Sequence, residues 1–304
     1  MANESIAPRP PRWAAAAPFV RASLLGVALA FGCASHCVAQ MNANEAKLSS
    51  GLVKTGLYLI EGGGCNSLLR FSANGMILVD GKSPGQYRAL MTQVRKISRL
   101  ADLPLRVLVL TGPQESSAGN NVQFRAAGLA LVAQENTKKY LRSQPPPGET
   151  AAAAPSFTFD REYTLRLGGV EARLEHAGAS RTDAQTLVLF PDLKVVALGE
   201  LYTRETPQPD YAAGGSLVGW ARSLDRLMQL DFDTAVPCTG QPLSRSEVEV
   251  ARARLATLIA AAAKAVREGT SKEGFAERLR AGGAPHDLRP EDIDHLYDEL
   301  ARQP

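Results

Sequence analysis

Side chains able to do metal or nucleophilic chemistry are few in this chain. Its histidines are His36, His176, His286 and His295, and neither His286 nor His295 has a second histidine or a cysteine at metal-ligand spacing. Several catalytic motifs are nearly present. Gly81-Lys82-Ser83 has the ending of a phosphate-binding loop, but Met76 stands where the first glycine is required. Gly62-Gly63-Gly64 lacks the third glycine of a dinucleotide fingerprint, at Ser67, and opens no evident helix. Ser116-Ser117-Ala118-Gly119 and Gly214-Gly215-Ser216 fail as nucleophile elbows, because Glu115 and Val218 occupy positions that need glycine. All four read as turns. His176 is expected to be packed at a strand end rather than to act as a lone base, and His286 and His295 to lie at the surface.

The elements that must position any chemistry belong to an exported globular chain. With 304 residues, 45% hydrophobic and 21% charged, the composition excludes disordered, collagen-like and multi-pass membrane classes. A net charge of +3 gives no nucleic-acid surface. Arg9, Arg12 and Arg21 precede an apolar run from Ala22 to Phe31, which reads as a signal peptide spanning 1–39, cleaved after Ala39. The alternative is lipoprotein processing at Cys33, for which Ala30 and Phe31 make a poor lipobox. The expected location is periplasmic or secreted. The mature chain carries 31 basic against 30 acidic residues and keeps Cys65 and Cys238, which either pair or stay as partly buried thiols. The thiol form is the expectation.

Periodicity alternates along the mature chain. Leu57 to Ile60, Leu68 to Phe71 and Met76 to Val79 are apolar runs divided by Gly-rich turns, predicting antiparallel strands. Tyr87, Leu90, Met91, Val94 and Ile97 recur at helical spacing, and Arg106 to Thr111 follows as a buried strand. A helix and a strand come next, then a helix from Gln134 to Leu141. Residues 143–156 read as a surface linker. The second half predicts strands at Tyr163–Leu167, Val170–Leu174, Thr186–Phe190 and Val195–Leu198, a helix from Trp220 to Leu230 and a strand ending at Val236-Pro237. Ser246–Arg267 and Glu291–Ala301 then predict two amphipathic helices, the second with Pro290 in its first turn.

The segments from about Leu57 to Leu243 resemble the metallo-β-lactamase-fold hydrolases, the superfamily of zinc β-lactamases and glyoxalase II. The resemblance rests on Gly64-Cys65-Asn66, the strand and turn from Gly75 to Gly81, and Val107 to Thr111 running into Ala118-Gly119-Asn120-Asn121. Gln134-Glu135-Asn136-Thr137, Gly178 to Asp183, Phe190-Pro191, Leu198 to Leu201, Gly215-Ser216 and Val236 to Gly240 continue it in order. It implies a four-layer αβ/βα sandwich over 50–243, with 244–304 as a C-terminal helical extension, and a metal site on loops at one edge.

At that edge the chain departs from the family. Where relatives carry H-x-H-x-D-H, the stretch reads Gly112-Pro113-Gln114-Glu115-Ser116-Ser117, and the later ligand positions hold Arg181, Glu200 and Thr239. Gly112 offers no side chain, Gln114, Ser116, Ser117 and Thr239 are poor zinc ligands, and Arg181 is a fixed cation without an acceptor. No metal and no other cofactor is therefore expected. Arg181 either pairs with Glu200, and with Glu115 in an extended version, as a clamp on these loops, or simply reaches solvent. The implied function is an exported pseudo-hydrolase that binds a small molecule or a periplasmic protein. The alternative is a hydrolase of esters, thioesters or lactams, with Glu200, Glu115 or a serine in place of the metal and Gln114 among the oxyanion donors. A third reading, metal held by Glu200, Glu115 and His176, is the sparsest.

Overall fold

A computed structural model describes residues 46–99, 102–143, 154–285 and 287–302. Apolar alternation builds the first sheet, from β1 (Ser49–Lys54), β2 (Leu57–Glu61), β3 (Ser67–Ser72), β4 (Gly75–Val79), β5 (Leu105–Val109), β6 (Ala130–Gln134) and β7 (Phe157–Phe159), in that spatial order. Its first four strands are antiparallel, and β4 to β7 are parallel. The parallel connections need crossovers, supplied by α1 (Tyr87–Ser98), the short α2 (Glu115–Ala118) with α3 (Asn121–Ala126), and α4 (Glu135–Ser143).

The second sheet has the order β13 (Leu243–Ser244), β12 (Thr234–Pro237), β11 (Val195–Gly199), β10 (Gln185–Phe190), β9 (Val170–Gly178), β8 (Glu162–Leu167). Only β11 and β12 run parallel, joined across α5 (Leu217–Leu227). Three helices follow: α6 (Arg245–Arg267), α7 (Lys272–Ala281) and α8 (Pro290–Ala301).

Strands that are apolar at every position serve two cores at once. Ile77, Val79, Val107 and Val109 meet Val188, Phe190, Val195 and Ala197 between the sheets. Their neighbours Met76, Leu78 and Leu108 face α1, α3 and α4 through Leu90, Phe124 and Leu141. On the other side Leu187, Leu189, Val196 and Leu198 pack under α5 and the C-terminal helices through Leu224, Leu255, Leu258 and Ile293. Period two on both faces of both sheets makes four layers, helix on sheet on sheet on helix.

The predicted elements reappear with shifted ends. Gln134 closes β6 rather than opening the helix, and its Oε1 accepts from the Asn136 N–H at 2.5 Å, turning the chain into α4. The second-half helix begins at Leu217, capped by Ser216, whose Oγ accepts from the Gly219 N–H at 2.8 Å. Four elements were not anticipated: β1, β7, β13 and α7. Three are short or exposed edge strands, whose pairing depends on a neighbour rather than on their own pattern. Residues 144–153 of the expected linker and 1–39 lie outside the described residues. Among the described residues no helix is long and apolar enough to cross a membrane.

Candidate functional site

The loops that follow β5, β9, β11 and β12 meet at one edge of the sandwich. Arg181 sits on the loop after β9, held by Asp210 N–H donating to its carbonyl at 2.7 Å and by its own Nη1 donating to Gln208 O at 3.1 Å. Glu200 follows β11. Gly199, at φ +52, turns the chain there, and a Cβ on it would stand 2.5 Å from Thr111 Oγ1. Arg181 Nε lies 2.9 Å from Glu200 Oε2, so the two loops are joined by an ion pair. The N–H is not aimed at that oxygen, which accepts no hydrogen bond, and the attraction is coulombic. Oε1 turns the other way, accepting from Ser116 Oγ at 3.3 Å.

Burial raises the Glu200 pKa above the ordinary carboxylate value, while Arg181 and the Ser116 hydroxyl oppose the rise. Arg181→Met is expected to raise it further and to cost about 1 kcal/mol at pH 7, a small figure because the arginine side chain is 40% exposed. A folded carboxyl pKa above the unfolded one gives stability that is full at low pH and lost as pH rises through the folded value. The variant's deficit should therefore shrink as pH falls toward 4, as read by urea midpoints; a deficit that grows on acidification would refute this pairing.

The other positions that the resemblance marks are placed differently. The Gln114 side chain folds back over Gly112, where a Cβ would stand 2.3 Å from Gln114 Oε1, and Gln114 Oε1 is 3.5 Å from Gln185 Nε2. Any larger residue at 112 would displace that amide. Glu115 is exposed and, among the described residues, forms no ion pair, so the clamp consists of Arg181 and Glu200 alone. Ser117 is buried with its Oγ unpartnered, and Thr239 is exposed at the mouth of a cavity of about 230 Å³. Arg181, Glu200, Tyr202, Gln208 and Trp220 line the same cavity. A narrower apolar crevice continues from Tyr202 and Trp220 between α5 and α6, past Leu224, Leu255 and Leu258. These donors do not fit zinc at the positions the resemblance implies: one is a permanent cation, one has no side chain, and only Glu200 is a good ligand.

His176 stays outside this group, with Nε2 2.7 Å from Asp183 O. His295 is exposed with its ring stacked on Tyr211 at 3.8 Å, and His286 lies outside the described residues.

Two features beneath the ion pair escaped the sequence reading. Cys65 and Cys238 form a disulfide, Cα to Cα 4.4 Å, instead of the expected pair of thiols. The β2–β3 turn and the loop after β12 are already stitched together there: Asn66 N–H donates to Cys238 O at 2.6 Å, and Asn66 Nδ2 donates to Pro237 O and Gly240 O at 2.9 and 2.8 Å. The second is a pair of buried ionisable groups. Asp80 accepts from the Thr111 N–H and hydroxyl at 2.8 and 2.7 Å, and Lys82 Nζ donates to Ile60 O and Cys65 O, both at 2.6 Å. Desolvation pushes Asp80 up to about 6 and Lys82 down to about 8. An Asp-Gly-Lys directly after a fully apolar strand is the only signal that could have found them.

No family model and no curated protein matches the chain. Solved structures do. A metallo-beta-lactamase from Pontibacter korlensis superposes with TM-score 0.60 at 19% identity, over 68% of this chain and 98% of that one. The DIM-1 metallo-beta-lactamase gives 0.59 at 17%, over 70% and 99%, and a second structure of it, exposed to ceftazidime, gives 0.57 at 18%, over 69% and 97%. At such identities the likeness speaks for architecture. Two mixed sheets in that strand order, flanked by helices and matched over nearly the whole length of these enzymes, give this chain the metallo-β-lactamase fold.

Proposed function

We propose that this is an exported metallo-β-lactamase-fold protein that has exchanged a hydrolytic metal centre for an ion pair and now binds a small molecule in the cavity beside it. The observation that carries the reading is the Arg181–Glu200 contact at 2.9 Å, in which a fixed cation and a carboxylate occupy positions that the resemblance assigns to metal ligands. Arg181 supplies positive charge without a Lewis-acid site, so nothing in this group lowers the pKa of a water as a catalytic zinc does. The cavity retains what recognition needs: a charged rim at Arg181 and Glu200, hydrogen-bonding groups at Gln208 and Thr239, and an aromatic wall at Trp220 that opens into an apolar crevice. A ligand with a polar head and a short apolar portion suits that gradient.

Trp13 and Trp220 are the chain's tryptophans, and cleavage after Ala39 leaves Trp220 alone. Its fluorescence then reports directly on the cavity. Purified mature protein is expected to carry no stoichiometric zinc and to turn over neither generic esters and thioesters nor a chromogenic β-lactam. Small polar–apolar compounds should change the Trp220 emission and raise the melting temperature, with both responses lost in Arg181→Ala. Turnover abolished by Glu200→Gln would overturn the reading in favour of a metal-free hydrolase. Export is tested by the N-terminus of protein recovered from the periplasm, which should begin at Gln40.

A further inference from the structure

Cys238 of the disulfide and both members of the ion pair line the cavity, and Cys65 stands directly behind Cys238 through the S–S bond. Cys65 Sγ, Cys238 Sγ and a Glu200 carboxylate oxygen all lie within 4.8 Å of one another. As a disulfide the two sulfurs are not thiolates and offer a cation nothing. We propose that reduction converts this corner into a binding site for a soft divalent cation of the zinc class, ligated by Cys65 Sγ, Cys238 Sγ and Glu200 Oε1, with water from the cavity as the fourth ligand. Neither sulfur stands at a position where the family carries a metal ligand, so the site belongs to this chain's own residues.

Reduction by a dithiol transfers two electrons to the S–S bond, giving two protein thiols and one disulfide of the reductant. Binding the cation then releases both thiol protons. Two thiolates and one carboxylate carry three negative charges, which a divalent ion and Arg181 neutralise. The Arg181 guanidinium contacts Oε2, while Oε1 is the oxygen 4.0 Å from Cys238 Sγ. The arginine thus orients the carboxylate from behind rather than occupying the metal's place. Zinc–sulfur bonds of about 2.3 Å require sulfurs about 3.8 Å apart, within reach of side-chain rotation once the S–S bond is open. The Asn66 bonds to Pro237, Cys238 and Gly240 do not involve the sulfurs, so opening the S–S bond removes none of the contacts that hold the two loops together. Glu200 and Cys238 both face the cavity of about 230 Å³, which supplies an entry path and room for the water.

The test uses mature protein, oxidised or reduced with a phosphine and desalted without oxygen, titrated with cadmium alone and with zinc alone. The reduced protein should bind one equivalent, with cadmium–thiolate charge-transfer absorption, and release it on reoxidation. Glu200→Gln should weaken binding at least about tenfold. Zinc should also raise the melting temperature of the reduced protein, or refold it if reduction alone unfolds the chain, and should do neither for Cys65→Ser/Cys238→Ser. Equal binding by oxidised protein, binding by the double serine variant, or no effect of zinc on the reduced chain would each overturn the proposal. Failure would leave the ligand-binding reading of the oxidised cavity untouched, since that is measured on oxidised protein with organic ligands.

Discussion

Replacing Cys65 and Cys238 together by serine should lower the stability of the oxidised protein by about 5 kcal/mol, the chain-entropy value for a cross-link across so long a loop. The bridge spans 173 residues and joins the first sheet to the second, so the unfolded chain gains most of its freedom when the link is removed. The folded state loses less. Cys65 N–H still donates to Ser116 O at 2.9 Å, Cys238 N–H still donates to Gly199 O at 2.7 Å, and the Asn66 contacts remain. Urea unfolding should show a lower midpoint and an unfolded state that is less compact, and thermal melting should fall by about 10–20 °C. Reducing the parent protein should reproduce the loss, and a change below about 1 kcal/mol in either experiment would contradict the entropic account.

Lys82→Met should cost about 3 kcal/mol at pH 7, since two buried carbonyls lose their donor and the buried Asp80 loses a cation whose charge opposes its desolvation. Both Asp80 and Lys82 are buried, and methionine would take from the Ile60 and Cys65 carbonyls a donor at 2.6 Å. Asp80 would lose the lysine charge that opposes its upward shift, and its pKa would rise beyond about 6. The sign of the pH effect follows. Asp80's folded pKa lies above the ordinary value of 3.8, so its contribution to stability is full below about 4 and is lost as pH rises through about 6. Lys82's folded pKa lies below the ordinary value of 10.5, so its contribution is full above that value and is lost as pH falls through about 8. Between about 6 and about 8 both groups are ionised and each offsets the other's burial. The variant's deficit should therefore be largest near pH 7 and smaller near pH 4.5, where Asp80 is neutral. Urea midpoints across that range would show it; a deficit independent of pH would mean that lost packing, rather than the lost charge, sets the cost.

The two predictions concern residues that meet where loops of separate elements close on one another, and neither could be made from the order of residues alone. Cys65 and Cys238 are far apart in the chain, and only the closing of the β2–β3 turn onto the loop after β12 brings their Cα atoms to 4.4 Å. Asp80 and Lys82 have the composition of surface residues. They are buried because positive φ values, 62° and 71°, turn both back under loops that arrive from β2 and β5. The same holds for α7, where only Phe275 and Leu279 are buried among charged residues and the helix exists by packing on α6 and α8.

By itself the sequence indicated the layered architecture, because most core strands read as short apolar runs bounded by turns and the longer helices carry an apolar stripe, both local properties. It also showed how few histidines the chain has, since residue types need no coordinates; which positions would be compared with metal ligands came only from the resemblance. The Arg181–Glu200 pairing was reachable only through the resemblance, which aligned two loops that the chain itself does not relate. Tertiary structure decided the rest: which oxygen of Glu200 meets the arginine and which faces sulfur, that the cysteines are joined, and that a lysine and an aspartate are buried beneath them. Such contacts form between loops whose ends are fixed by separate sheets, and no local pattern encodes the distance between two loop tips.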